Sequence, residues 1–553
     1  MALHMKSAIL VVLLSGTMLG AAEEKRSAVS ACRALAKLQI DNAKITSSEM
    51  VAAATPLEMR GFPAPIVFKS LPAHCRVEGI INQHQGKDGK QYGDRFELRM
   101  PSDWKGRLLF QGGGGLDGIL NPAVGIEISS TGEPGSALSR GYAVVATDAG
   151  HQQAMAFGAD GSFAADPDAR ADYNYRSTTM VMNVVRKIIP AFYGEPAKYS
   201  YFKGCSNGGR EAMLAVQRYP DCFDGVIAGS PGFNLTNAAT AEAWYNIQLA
   251  KIAPKNDHGE PDLAKTFSDG DLRLLADAVL KQCDELDGLK DGLVADTEAC
   301  KFDPAVLQCK GQKAESCLSD AQVGALHAVF AGPKDSKGKS LYSDWPYDAG
   351  IADTGWRIWI LGTAQIPALN TLMYPDFFNG PVLAGQPPKV EAFKFDFDRD
   401  TTRSSEGAAE INAVSTDLSE FKKHSGKLIM YAGMSDSAFS ANDLIAYYKR
   451  VIGSNGGPSS VEDFARLFLV PGMGHCAVGP ALDTFDTLTA IENWVERGRA
   501  PQSLIATGKR FPGRSRPLCP FPRFAKYNGS GNPENASSFS CQAPVSTGSS
   551  NGN

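Results

Sequence analysis

Gly204-Cys205-Ser206-Asn207-Gly208 sets a serine between two glycines in the spacing G-x-S-x-G. That spacing suits a sharp strand-to-helix turn, which lifts a serine hydroxyl out of the edge of a sheet. A serine attacks a carbonyl only when a base takes its proton and an acid orients the base. Downstream, Asp436 ends Gly433-Met434-Ser435-Asp436 and His475 ends Gly472-Met473-Gly474-His475. His475 is the only histidine after Asp436. The expected roles are Ser206 as nucleophile, His475 as general base and then acid, and Asp436 as the orienting group. Asp443 lies close by and stands as the alternative acid.

Cysteines flank both ends of this constellation. Cys205 touches Ser206 in sequence and Cys476 touches His475. If the serine and histidine meet, their neighbours are brought together as well, and a Cys205–Cys476 bond is expected. Spacing pairs the others as Cys32 with Cys75, Cys283 with Cys300, Cys309 with Cys317 and Cys519 with Cys541. Of eleven cysteines, Cys222 is then left over.

Acyl transfer also needs donors for a developing oxyanion. The backbone N–H of Asn207 is one, from the geometry of the turn. The glycine run Gly112–Gly115 supplies the other, with Gly113 or Gly114 as the donor.

These residues must be carried by a sheet. Arg107–Phe110, Tyr142–Ala146, Tyr199–Phe202 and Val226–Gly229 read as strands, with helical spacing at Thr178–Ala191 and Arg210–Arg218. Alternating strands and helices indicate a mostly parallel sheet covered on both faces. The rhythm lapses from about 235 to 420, where aromatic residues such as Trp345, Trp356, Trp359, Phe377 and Phe378 collect. It returns at Lys427–Tyr431 and Arg466–Val470, each followed by a loop bearing an expected catalytic residue. The expected architecture is α/β, an α/β-hydrolase fold with a large inserted lid domain. Its first core part spans 23–234, its lid 235–420, and its second core part 421–553, ending in a disulfide-held extension. Residues 23 to about 80 read as a lead-in to the alternation.

The net charge of -5 and pI of about 6.0 give no reason to expect nucleic acid or an anionic membrane as a partner. Lys6, the apolar stretch Ala8–Leu14 and the small residues Leu19–Ala22 read as a signal peptide over 1–22. A secreted or periplasmic location follows, where disulfides persist.

The loop Cys283–Leu293 packs Asp284, Asp287 and Asp291 at short intervals, with Gly288 and Gly292 for sharp bends. Carboxylates with the carbonyls of Leu289 and Leu293 would suit a hard cation such as Ca²⁺. A solvated acidic turn fits the composition equally well.

Cys-Ser at the turn, Gly-Met-Ser-Asp and Gly-His-Cys together resemble the tannase/feruloyl esterase family over nearly all of the chain after residue 22. The resemblance implies an α/β-hydrolase core, an inserted lid, and a structural calcium ion held in the lid by Asp284, Asp287, Leu289, Asp291 and Leu293. It implies a small aromatic ester as substrate: a feruloyl, galloyl or terephthaloyl ester, with mono(2-hydroxyethyl) terephthalate as the alternative. Phe439 matches a substrate-clamping aromatic. A lid arginine that holds the free carboxylate in the family's terephthalate half-ester hydrolase finds no counterpart in Trp359–Phe378, though Arg357 precedes that stretch. Two other readings are a peptidase and a calcium-stabilised binding protein with an inactive site.

Overall fold

The computed structural model describes residues 28–59, 65–126, 135–153 and 160–544. The expected signal peptide, 1–22, lies outside them. Among the described residues nine strands form the main sheet: β1 (Ala43–Val51), β2 (His74–Gln85), β3 (Gln91–Pro101), β4 (Arg107–Gln111), β5 (Tyr142–Thr147), β6 (Tyr199–Cys205), β7 (Gly225–Gly229), β8 (Lys427–Gly433) and β9 (Ala465–Val470). Their order is β1-β2-β3-β5-β4-β6-β7-β8-β9. Every pair from β5 to β9 is parallel, and β1, β2 and β3 join antiparallel. This is the sheet of an α/β hydrolase.

The central strands are apolar on both faces because helices cover both. Leu108, Phe110, Phe202, Val226 and Met430 pack into one core layer, and the alternating Leu109, Tyr201, Ile227 and Ile429 into the other. The lead-in expected over residues 23–80 is largely sheet: β1 and β2 extend it by two antiparallel strands. In β2, Val77, Gly79 and Ile81 are buried while the residues between them are partly exposed, the pattern of a strand with one wet face.

Helix α1 (Ser177–Tyr193) precedes β6, and α2 (Asn207–Arg218) follows it directly. β7 and β8 are sheet neighbours, yet about 200 residues separate them in sequence. That interval contains α3 (Leu235–Ala250), α4 (Asp269–Cys283), α5 (Asp320–Phe330), α6 (Thr354–Ile360) and α7 (Leu369–Phe377). Ser268 with Asp271 and Ser319 with Gln322 form capping boxes that start α4 and α5. Tyr245, Leu249, Phe267, Leu275, Leu326 and Trp345 join in a separate apolar core for this layer. After β9, α8 (Thr487–Arg497) packs beside the sheet, and two short hairpins close the described chain.

Five disulfides are formed: Cys32–Cys75, Cys205–Cys476, Cys283–Cys300, Cys309–Cys317 and Cys519–Cys541. Cys222 is a buried free thiol. Among the described residues no helix is long and apolar enough to cross a membrane.

Candidate active site

Four loops leave the C-terminal ends of parallel strands and converge. They are Gly112–Gly115 after β4, Ser206 after β6, Asp436 after β8 and His475 after β9. Ser206 is a non-glycine residue at φ 64°, a conformation held only where the surroundings enforce it. Gly204 and Gly208 make the turn feasible: a Cβ on Gly204 would collide with the carbonyl of Gly208, and one on Gly208 would crowd that of Gly113.

The imidazole of His475 bridges the other two side chains. Its Nδ1 lies 2.9 Å from Asp436 Oδ2 and 3.1 Å from Oδ1. A carboxylate only accepts, so Nδ1 carries the proton. Nε2 is then free to accept the Ser206 hydroxyl proton across 2.8 Å. Asp436 is buried, and its Oδ1 also takes the backbone N–H groups of Ala438 and Phe439 at 2.9 and 3.0 Å. Asp443 faces elsewhere: it accepts from Asn234 at 3.1 Å, and burial pushes its carboxyl up to about 6.

Two ties fix the histidine loop. Cys205–Cys476 joins it to the serine turn, with Cα atoms 6.0 Å apart. Asp348, a buried residue between α5 and α6, accepts from the Gly472 N–H at 2.6 Å and the Ser435 hydroxyl at 2.9 Å. One carboxylate thus links the loops of Asp436 and His475. Sequence reasoning missed it, since nothing local marks Asp348.

The glycine run resolves into unequal members. The Gly112 N–H donates to the Lys203 carbonyl at 2.9 Å, and the Gly113 N–H to Glu211 Oε2 at 3.2 Å. The Gly114 N–H has no partner among the described residues. Of the two expected donors, Gly113 is therefore engaged and Gly114 is open. Asn207 opens α2, so its N–H is one that the helix itself leaves unsatisfied. Its side chain is pinned from three sides: Nδ2 donates to Asp117 and to Glu211 at 3.3 Å, and Oδ1 accepts from the fully buried Arg210 at 2.6 Å. Burial and the charge of Glu211 push the Asp117 carboxyl well up.

A cavity of about 290 Å³ opens over Ser206 and His475. Trp356, Trp359, Phe377 and Phe439 give it aromatic walls. The Phe439 ring meets the His475 ring edge-on at 5.3 Å, and Trp359 lies 6.0 Å from it. Arg357 turns away, donating to the Phe267 carbonyl and pairing with Asp269. Glu242, at 6% exposed, was not singled out from sequence; the available signal was its standing as the only charged residue in α3.

In the acidic loop, Asp287 accepts from the Leu289 N–H at 3.0 Å, Asp284 from the Asp291 N–H at 2.9 Å, and Asp291 from the Leu293 N–H at 3.1 Å. Burial, with Asp291 and Asp284 beside it, pushes the Asp287 carboxyl up to about 7. Arg516 and Arg514 from the C-terminal hairpins pair with Asp291. A cavity of about 50 Å³ borders Asp287, Asp291 and Leu293. Buried, crowded oxygens beside an opening are a donor set that suits a hard cation. Elsewhere, His84, Asp166 and Asp168 offer ligand atoms within 4.8 Å of one another. There Asp166 caps a helix and Asp168 pairs with Arg176, which accounts for the grouping.

Residues 75–542 match the family described as tannase and feruloyl esterase. The chain belongs to that family. It is 41% identical to the mono(2-hydroxyethyl) terephthalate hydrolase of Piscinibacter sakaiensis, with 89% of each chain covered. Feruloyl esterase B from Aspergillus oryzae superposes with a TM-score of 0.77 at 26% identity, over 93% of this chain and 100% of that one. The tannin acyl hydrolase of Aspergillus niger shares the fold, with a TM-score of 0.69 at 22% identity over 94% of each chain.

Proposed function

We propose that this protein is a serine carboxylesterase that hydrolyses esters of aromatic carboxylic acids through an acyl-enzyme. The carrying observation is the hydrogen-bonded line Ser206–His475–Asp436, with spacings of 2.8 and 2.9 Å, at the floor of an aromatic-walled cavity. His475 takes the Ser206 proton as Oγ attacks the ester carbonyl, and Asp436 stabilises the imidazolium. The N–H groups of Asn207 and Gly114 receive the oxyanion. His475 returns the proton to the leaving alcohol, and water then releases the acid by the reverse steps. Phe439 and Trp359 provide faces against which the substrate ring stacks.

Asp284, Asp287 and Asp291, with the carbonyls of Leu289 and Leu293, would hold a structural Ca²⁺. The ion would supply charge compensation for this loop and takes no part in ester cleavage. The five disulfides support a secreted or periplasmic location.

The test is twofold. A fluorophosphonate should label the wild type on Ser206 and leave Ser206→Ala untouched. A panel of methyl ferulate, methyl gallate and mono(2-hydroxyethyl) terephthalate should show turnover that Ser206→Ala abolishes while its circular dichroism stays that of the parent. Retained turnover in Ser206→Ala would remove the assignment.

A further inference from the structure

Helix α3 contains one charged side chain, Glu242, and buries it against the cavity that holds Ser206 and His475. A carboxyl in such a place costs free energy unless it is used. Its one hydrogen bond is to Oε1, from the Trp359 indole N–H at 3.2 Å. Its second oxygen has no protein partner among the described residues, and it is not sealed from solvent. The cavity's other carboxylates have other tasks: Asp117 holds Asn207, and Asp353 caps α6 and pairs with Arg510. Its neutral polar lining includes Asn121 and Ser437, and no lysine or arginine lines it among the described residues. A ligand inside therefore meets aromatic faces, the neutral side chains of Asn121 and Ser437, and the solvent-reachable carboxyl oxygen of Glu242; the unpartnered Asp117 Oδ2 is sealed away.

We propose that Glu242 is a specificity-determining residue whose free carboxyl oxygen hydrogen-bonds an oxygen substituent on the ring of the bound aromatic ester. This rests on the esterase reading above and assigns recognition of the ring substituent to one named residue. Burial pushes the Glu242 carboxyl up to about 8, and the Asp436 charge adds to the effect while the Trp359 N–H opposes it. The other titratable groups acting across this packing are the phenols of Tyr245, Tyr342 and Tyr374, each held above its ordinary value by burial. At neutral pH Glu242 is therefore protonated. Oε1 accepts from Trp359, and the acidic O–H points its proton at the substrate. Above its titration the donor is gone, and a ring oxygen that can only accept loses its partner.

The experiment compares kcat/KM for methyl 4-methoxycinnamate, whose ring oxygen only accepts, with methyl cinnamate, which lacks it. The wild type should prefer the methoxy ester by roughly tenfold or more near pH 7. Glu242→Leu should bring the ratio close to one. Glu242→Gln keeps an acceptor for Trp359 and a donor for the ring, so it should retain the preference. In the wild type the ratio should fall as pH rises through about 8, and in Glu242→Gln it should stay flat. If Glu242 only props Trp359, Glu242→Leu lowers both esters alike and leaves the ratio, which overturns the proposal; so does a wild-type ratio near one. Neither failure touches the esterase reading, which falls if the wild type cleaves no aromatic ester or if Ser206→Ala retains turnover.

Discussion

The bond between Cys205 and Cys476 ties the nucleophile's turn to the base's loop, and its removal has a magnitude that follows from the fold. It closes a loop of 271 positions. Two bridges inside that loop span only 17 and 8 positions and shorten it little. The chain-entropy relation then gives a stabilisation of about 5 kcal/mol. Unfolding entropy near 2.1 cal/mol/K per residue amounts to about 1.2 kcal/mol/K for this length, so the melting midpoint should drop by about 4 to 5 °C in Cys205→Ala/Cys476→Ala. The double substitution is the right perturbation, because a single one leaves a free thiol beside the catalytic groups.

A second effect separates position from entropy. Cys476 follows His475 directly and sits at φ 66°, a strained conformation for a residue with a side chain. Without the bond the loop can relax toward ordinary backbone and carry the imidazole away from Ser206 Oγ. Misplacement on the scale of an ångström costs about a hundredfold in rate, so kcat should fall by roughly ten- to a hundredfold with KM little changed. The assays are thermal melting under non-reducing conditions and steady-state kinetics on methyl ferulate. A midpoint within about 1 °C of the parent would refute the entropic argument. An unchanged kcat would refute the positional one, whatever the midpoint did.

Chelation should destabilise the protein if the acidic loop holds Ca²⁺: dialysis against EDTA should lower the melting midpoint, added Ca²⁺ should restore it, and Asp287→Asn should abolish the response. A midpoint indifferent to Ca²⁺ in the wild type would sink the calcium proposal. Asp348→Ala strands the Gly472 N–H and the Ser435 hydroxyl in a buried setting. At about 1–3 kcal/mol for each unmet group it should destabilise by roughly 2 to 6 kcal/mol and lower kcat more than it raises KM. Equal kcat in that variant would show that the two loops hold their places without this link.

Sequence carried the Ser206, Asp436 and His475 assignments forward because each ends a strand-like run in an order that one sheet topology requires. The disulfide beside them was legible for a related reason: adjacency in sequence transmits adjacency in space, so one meeting of side chains implies the next. The glycine loop shows where that logic stops. Gly113 and Gly114 are indistinguishable in sequence, and what separates them is the reach of Glu211 from helix α2, a contact between elements nearly a hundred residues apart. Strands β1 and β2 fall in the expected lead-in: the polar run Thr46–Glu49 and a bulge between Ile45 and Ser47 break the alternation of β1, and neither strand carries chemistry to mark it. Glu242 and Asp348 were silent for the same reason in sharper form. A lone acid in a helix or a loop is ordinarily a solvated charge, and only the closing of the inserted helices over the sheet turns it into a buried carboxyl facing a cavity or a loop. Catalytic chemistry in this chain is thus written in local motifs, whereas its selectivity is written in contacts between the insertion and the core, which is where substitutions should alter substrate choice without abolishing turnover.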